Sequence, residues 1–121
     1  MKMKNKFAIH PFISKRRSTV SFTGESISKD DLMLLFEAAK WAPSSFNIQP
    51  WRFIYAHKED EKNFMQFFEL LNEGNKEWAG NASVLALSVA ETISQYKNRP
   101  NRFAFHDLGM AIENILVQAT S

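Results

Sequence analysis

The chain has 121 residues, a formal net charge of +2 and no cysteine. This length favours a single domain spanning residues 1–121. The absence of cysteine excludes disulfides, cysteine nucleophiles and cysteine metal ligands. No apolar run approaches a membrane span, and no long apolar region follows the basic start. We therefore expect a cytoplasmic protein without a signal peptide.

The first predicted element is a short helix that follows a frayed, basic start over residues 1–10. Pro11 suits the first turn of a helix, since its missing N–H would have no partner there. The helix ends in Lys15-Arg16-Arg17-Ser18. Two guanidinium groups followed by a hydroxyl match the oxygens of a phosphate, although a solvated pair of arginines is the commoner explanation.

A loop over residues 19–26 leads to a second predicted helix. Ser28 caps this helix, with Asp31 three residues later as in a capping box. Pro43 ends it, because proline disfavours helix at the preceding residue. The apolar residues at helical spacing, which predict its buried stripe, are Leu32, Leu35, Phe36 and Ala39.

A polar loop between Pro43 and Pro50 follows this helix directly. The two prolines restrict the backbone, and hydroxyl and amide side chains stand between them. Such a rigid loop suits the edge of a flat heterocycle, on which carbonyl and N–H groups alternate. The alternative is an ordinary turn whose side chains bond the local backbone. The hydroxyl and amide residues are Ser44, Ser45, Asn47 and Gln49.

Two predicted strands follow, at 51–56 and 83–90. Both are apolar on both faces, so we expect them in the interior of a sheet. Between them, Asp60 caps a predicted helix that Gly74 ends, and a short helical turn begins at Asn75. The buried stripe of that helix is Phe64, Phe67, Phe68 and Leu71.

The remaining sequence predicts a surface loop over 91–101 and a final helix from about Arg102. This helix is apolar over most of its circumference, so we expect it to be buried on more than one side. Two strands do not close a sheet, which indicates an incomplete domain. The main apolar face of the final helix is Leu108, Ile112, Ile115, Leu116 and Ala119, and Met110, Ala111 and Val117 add apolar surface elsewhere on this helix.

Several common chemistries leave no trace in the sequence. There is no Gly-rich nucleotide signature, no metal-ligand spacing among the histidines and no nucleophile elbow. His106 and Asp107 could form an orienting pair, but an exposed or locally bonded histidine is the simpler interpretation. If the chain is an enzyme, a cofactor carries the chemistry.

Taken together, these motifs resemble the nitroreductase family of FMN-dependent NAD(P)H oxidoreductases. The specific part is the stretch LFEAAKWAPSSFNIQPWRF over 35–53, joined by weaker matches in the expected order. The resemblance implies an α+β fold in α/β/α layers, with the C-terminal strands missing from this chain. The weaker matches are Lys15 to Ser18, Glu73-Gly74-Asn75, Trp78-Ala79, Asp107-Leu108-Gly109 and Gln118-Ala119-Thr120.

The resemblance also implies roles for the matching residues. Arg16, Arg17 and Ser18 would hold the phosphate and ribityl end of FMN, and Asn75 would contact the flavin ring. A loop from the partner subunit of a homodimer would reach the flavin through Pro43, Ser44, Ser45 and Asn47, with Gln49 supporting it. The implied mechanism is ping-pong: NAD(P)H reduces the flavin and leaves, and a nitroaromatic, quinone or similar acceptor takes its place.

Two other functions stand beside this one. A truncated, non-catalytic chain could self-associate through the apolar face of an exposed last helix. A nucleic-acid binder could use the basic N-terminus, but most aromatic residues fall on predicted core stripes. We therefore expect neither a nucleic acid nor a membrane as partner.

Overall fold

A computed structural model describes residues 6–121. Half of the predicted frayed start, residues 1–5, lies outside the described residues. The elements, in chain order, are α1 (Pro11–Lys15), α2 (Lys29–Lys40), a 3₁₀ turn (Ser45–Asn47), β1 (Trp51–His57), α3 (Glu61–Glu69), α4 (Glu73–Ala79), β2 (Val84–Ala90), β3 (Ile93–Ser94), β4 (Arg99–Pro100) and α5 (Ala104–Gln118).

The strands β1 and β2 form an antiparallel pair at the centre of the fold. Their register runs from Trp51 opposite Ala90 to His57 opposite Val84. The helices α2 and α5 pack on each other and on one face of this pair, and α3 packs on the other. The layers confirm the predicted α+β fold with helices on both sides of a sheet.

The core lies where α2, α5 and the start of β1 meet. Ala39 and Ala111 are 1% and 0% exposed, and Trp51, 7% exposed, closes the cluster. Small side chains at the crossing let the two helices approach closely. Ala111 was expected away from the main face of α5, and its complete burial shows that this face is wider than the spacing predicted. The Asn114 side chain ties the helices by donating from Nδ2 to the Ala38 carbonyl oxygen at 3.1 Å.

Side-chain caps begin the helices as the sequence predicts. The Ser28 hydroxyl accepts the Asp31 N–H at 3.0 Å and donates to the Asp31 carboxylate at 2.7 Å, which completes a local capping motif. Asp60 accepts the Asn63 N–H at 3.4 Å. These caps satisfy N–H groups that the first turns of α2 and α3 would otherwise leave without a partner.

The prediction that both strands are buried on both faces is wrong for this structure. Ile54 and Leu87 are 53% and 44% exposed in the middle of their strands. Within residues 6–121 this sheet has only two strands, and α3 covers only part of its outer face. A strand is buried by its neighbours, so an apolar sequence alone does not decide its burial.

Two local predictions are also wrong. Gly74 lies inside α4, whereas α3 ends earlier, at Glu69. The reason is a second cap: the Asn72 side chain accepts the Asn75 N–H at 2.9 Å and starts α4 before the glycine. The predicted loop over 91–101 contains the short hairpin of β3 and β4, in which Asn98 has a left-handed φ of 45°.

The last helix is buried on one side and partly exposed on another. Leu108 is buried among the residues of the α2–α5 core. Phe105 is 72% exposed, and Leu116, 42% exposed, lines an apolar groove together with Ile112 and Ile115. Across residues 6–121, no helix combines the length and apolarity needed to cross a membrane.

Candidate functional site: a strained loop, a basic segment and an amide

The loop between Pro43 and Pro50 has an unusual backbone. Phe46, Asn47 and Gln49 have left-handed φ values of 53°, 52° and 53°. This region is rare for residues other than glycine, and for a bulky side chain such as Phe46 it is a genuine outlier. Each such residue costs of order 1–3 kcal/mol and persists only where its surroundings hold it.

Two hydrogen bonds hold this loop in shape. The Ser44 hydroxyl accepts the Gln49 N–H at 3.0 Å and closes the loop on itself. From α5, Oδ2 of Asp107 accepts the Ser45 N–H at 3.1 Å. The loop then enters β1 through Pro50, which is fully buried. Its conformation is therefore fixed before any ligand arrives.

The loop directs its other side chains outward. Phe46 is 91% exposed at the tip, and Pro43 and Asn47 beside it are exposed as well. Ser44 and Gln49, in contrast, are half-buried and bonded to each other. The turn interpretation therefore describes these two residues, while Asn47 keeps an amide that faces solvent. Sequence reasoning missed Phe46, because only its backbone angle and exposure distinguish it from a core aromatic.

Arg16, Arg17 and Ser18 form a basic segment after α1, and among residues 6–121 no carboxylate pairs with its two arginines. Nη1 of Arg17 donates to the carbonyl oxygens of Ser14 and Arg16 at 2.8 and 2.9 Å. Arg16 reaches the Ser18 hydroxyl at 3.5 Å. The ion pairs found within residues 6–121 include neither arginine. Two guanidiniums that no carboxylate neutralises are suited to an anion such as phosphate.

Asn75 lies in the first turn of α4 and is half-buried. Asn72 occupies its backbone N–H, so the Asn75 side chain is not needed to cap the helix. One turn later, the ring of Trp78 lies 6.0 Å from the ring of Phe22. This contact places α4 beside the segment that continues from the basic residues.

The predicted site residues thus fall into three groups. No hydrogen bond or ion pair within the described part of the chain joins the loop, the basic segment and Asn75. A shallow groove of about 230 Å³ adjoins the loop, with Ser45 and Phe46 on one side and Arg102 on the other. The structure therefore does not gather the predicted residues into one pocket.

The groups offer binding rather than acid–base chemistry. Among residues 6–121, no three histidine, aspartate or glutamate residues are placed to hold a metal ion. His106 is largely exposed and lies 3.5 Å from the buried carboxylate of Asp107, so the two side chains face different surroundings. Elsewhere, a hydrogen bond from the Ser26 hydroxyl holds the pKa of Glu59 below its ordinary value of 4.5.

Comparison with known proteins gives a consistent picture. A family model described as the nitroreductase family matches residues 13–74, just over half of the chain. A protein of Archaeoglobus fulgidus named as an NADH dehydrogenase/NAD(P)H nitroreductase is 32% identical over 108 residues, which are 88% of this chain and 58% of that protein. A Streptomyces coelicolor protein with a similar name is 31% identical over 75 residues, 62% of this chain and 36% of its own.

Solved structures are similar over most of this chain. An oxidoreductase containing FMN shares 39% identity at a TM-score of 0.88 and is matched over 96% of this chain and 60% of its own. A nitroreductase from Desulfovibrio desulfuricans in complex with FMN shares 27% identity at a TM-score of 0.73, over 93% and 63%. The chain thus spans about three fifths of the length of these two structures, and 36% and 58% of the two named relatives.

Proposed function

This chain belongs to the nitroreductase family, and we propose that it is an FMN-dependent cytoplasmic oxidoreductase whose 121 residues lie within one nitroreductase-like domain. It passes hydride from NAD(P)H, by a ping-pong mechanism, to a nitroaromatic, a quinone or a similar acceptor. The observation that carries the proposal is the loop from Pro43 to Gln49. Its strained backbone is held on both sides while Phe46 and Asn47 project from it, as expected of a preformed ligand contact.

The residues of the basic segment fit the charged end of FMN. Arg16 and Arg17 have no carboxylate partner within residues 6–121, so their charge is available to a phosphate. The Ser18 hydroxyl and the Asn75 amide add donors for the ribityl chain and the ring. When bound, FMN supplies the redox chemistry by accepting hydride and passing it on.

The chain's own residues position the reactants and exclude water. We propose that the loop of one subunit, with Pro43, Ser44, Ser45 and Asn47, reaches the flavin held by its homodimeric partner, and that Gln49 supports the loop. Within the described residues, no hydrogen bond, ion pair or shared groove joins the loop to Arg16 or Asn75, which supports this arrangement. The exposed ring of Phe46 then provides apolar cover beside the flavin. Neither a nucleic acid nor a membrane is needed as partner.

FMN retention by the purified chain tests the proposal. The double substitution Arg16→Ala with Arg17→Ala removes two sets of charge-assisted hydrogen bonds worth about 1.5–3 kcal/mol each, so we expect FMN affinity to fall by about 100-fold or more. Flavin fluorescence quenching measures the affinity, and circular dichroism measures the fold, which should not change.

The matched control removes the same charge elsewhere. Lys29→Ala with Lys62→Ala deletes two exposed cations on α2 and α3 and should leave FMN affinity within about twofold of the parent. An equal loss of FMN affinity in the two double variants would show that the effect comes from net charge and not from Arg16 and Arg17 themselves. No FMN retention by a folded parent chain would overturn the proposed function.

A specific observation favours a second candidate, a non-catalytic chain that self-associates. An apolar groove of about 420 Å³ lies between α2, the sheet and α5, lined in part by Phe36, Phe53 and Ile115. Exposed apolar surface of this kind favours association. A chain that sediments as a concentration-dependent oligomer without retaining flavin would support this candidate over the first.

A further inference from the structure

Asp107 is a charged side chain buried in the fold. It lies in the first turns of α5 and is only 3% exposed. Removing a carboxylate from water is costly unless hydrogen bonds or an opposite charge compensate for it. The partners of this carboxylate therefore indicate what it does.

Its main partner is the backbone of the loop. Oδ2 accepts the Ser45 N–H at 3.1 Å, across 62 residues of sequence. Oδ1 lies 3.5 Å from Nδ1 of His106, whose side chain is 73% exposed, so this second contact is long and open to water. A hydrogen bond from N–H to an ionised carboxylate is stronger than one between neutral groups.

The hydrogen bond from Ser45 to Asp107 lies at the start of the strained part of the loop. Ser45 begins the 3₁₀ turn, and the left-handed residues Phe46 and Asn47 follow at once. The bond fixes the point at which the backbone enters that conformation. The Ser44 hydroxyl closes the loop at Gln49, and Asp107 adds a direct hydrogen bond from α5 to the loop backbone.

We propose that Asp107 is a positioning residue that holds Phe46 and Asn47 in the orientation in which they meet the flavin. That the loop contacts a flavin rests on the proposed function. That Asp107 holds the loop rests on the structure alone. We expect loss of the acceptor oxygen to disorder the loop and weaken FMN binding together.

The test compares three variants of the full chain. Asp107→Leu keeps the branching at Cγ, enlarges the side chain and removes the acceptor, whereas Asp107→Asn keeps an oxygen that can accept the Ser45 N–H. Asn114→Leu is the matched control, because it breaks another α5 bond, to the Ala38 carbonyl, that does not involve the loop. Hydrogen exchange of the Ser45 and Gln49 amides reports loop shape, and fluorescence quenching reports FMN affinity.

We expect Asp107→Leu to speed exchange of both amides by about tenfold and to weaken FMN binding by about tenfold. Asp107→Asn should restore both values to within about threefold of the parent. Asn114→Leu should lower thermal stability but leave both values close to those of the parent. This pattern separates positioning from a general loss of stability.

Three results would overturn the inference. They are unchanged Ser45 exchange in Asp107→Leu, faster exchange with unchanged FMN affinity, and an equal loss of affinity in Asn114→Leu. If the parent itself binds no FMN, the proposed function fails, while amide exchange still decides whether Asp107 holds the loop.

A second variant covers the case in which Asp107→Leu does not fold. Ser45→Pro deletes the donor and leaves α5 unchanged, and Ser44 before it has a ψ of 153° that tolerates a following proline. We expect faster exchange of the Gln49 amide and weaker FMN binding. Parent-like values for both would overturn the inference.

Discussion

Two irregular segments of the chain carry most of the proposed flavin contacts, and they are built differently. The loop between Pro43 and Pro50 is short, has three left-handed residues and is bonded to itself and to α5. The segment over 16–28 is longer and almost entirely exposed. Its tertiary contacts include the hydrogen bond from Ser26 to Glu59 and the Phe22–Trp78 ring pair.

The difference separates two ways of preparing a binding site. The loop backbone is already ordered in the folded chain. Ligand binding therefore costs little additional conformational entropy in the loop. The basic segment supplies charge on a backbone with few tertiary anchors, so an anion would gain strong contacts but also order the segment. Substitutions in the loop should therefore alter both folding stability and FMN binding, whereas those at Arg16 and Arg17 should alter binding with little change in stability.

The largest expected effect is at the base of the loop. Trp51 is 7% exposed in the core, and Trp51→Ala should lower the free energy of unfolding by about 3–5 kcal/mol. Urea denaturation measures this value. The control is Trp41→Ala, since Trp41 is 82% exposed at the end of α2 and should change stability by less than about 0.5 kcal/mol. Equal effects at the two positions would contradict the assignment of the core.

A smaller effect on stability distinguishes the left-handed backbone of the loop from the backbone of the segment over 16–28. Phe46→Gly should be about 0.5–1 kcal/mol more stable than Phe46→Ala, because both lose the same exposed ring and only glycine adopts a positive φ freely. Val20 in the basic segment is 60% exposed and is not among the residues with positive φ. Val20→Gly should therefore be less stable than Val20→Ala, which reverses the sign. Thermal denaturation of the four variants checks this, and the same sign at both positions would refute the difference.

The smallest expected effect concerns the hydrogen bond that ties the segment over 16–28 to Glu59 through Ser26. The Ser26 hydrogen bond lowers the pKa of Glu59 in the folded state below 4.5. The stabilisation that this hydrogen bond gives the folded chain is therefore fully present above pH 4.5 and is lost as the pH falls through the folded-state pKa of Glu59. Ser26→Ala should be slightly less stable than the parent at neutral pH and equal to it well below pH 4.5. A stability difference that does not depend on pH would show that the hydroxyl acts without the carboxylate.

Local sequence signals predicted the helices well. Ser28 and Asp60 cap helices as their spacing indicates. In the predicted stripe of α2, Leu32 and Ala39 are buried, whereas Leu35 and Phe36 are half-buried beside the apolar groove. The strands β1 and β2 were predicted, and β3 and β4 were not. The burial of β1 and β2 was also predicted wrongly, because it depends on neighbouring strands that a local pattern does not contain. Gly74 misled because the nearby cap at Asn72 outweighs the helix-breaking tendency of a single glycine.

The residue types proposed for the candidate site come from the sequence, whereas their geometry comes from the structure. Proline, hydroxyl and amide residues indicated a binding loop, and Arg16 and Arg17 indicated an anion. The left-handed backbone at Phe46 and the bond from Ser45 to Asp107 arise from contacts between residues far apart in sequence. No local pattern encodes them, so they become visible only in the folded chain.

In the proposed homodimer, the loop of one subunit completes a flavin site on the other. Sedimentation velocity of the FMN-loaded, desalted chain, followed at the visible flavin band, tests this arrangement most directly. The account predicts that the flavin sediments with a dimer of the chain. Flavin that sediments with the monomer, or that separates from a folded dimer, would contradict it.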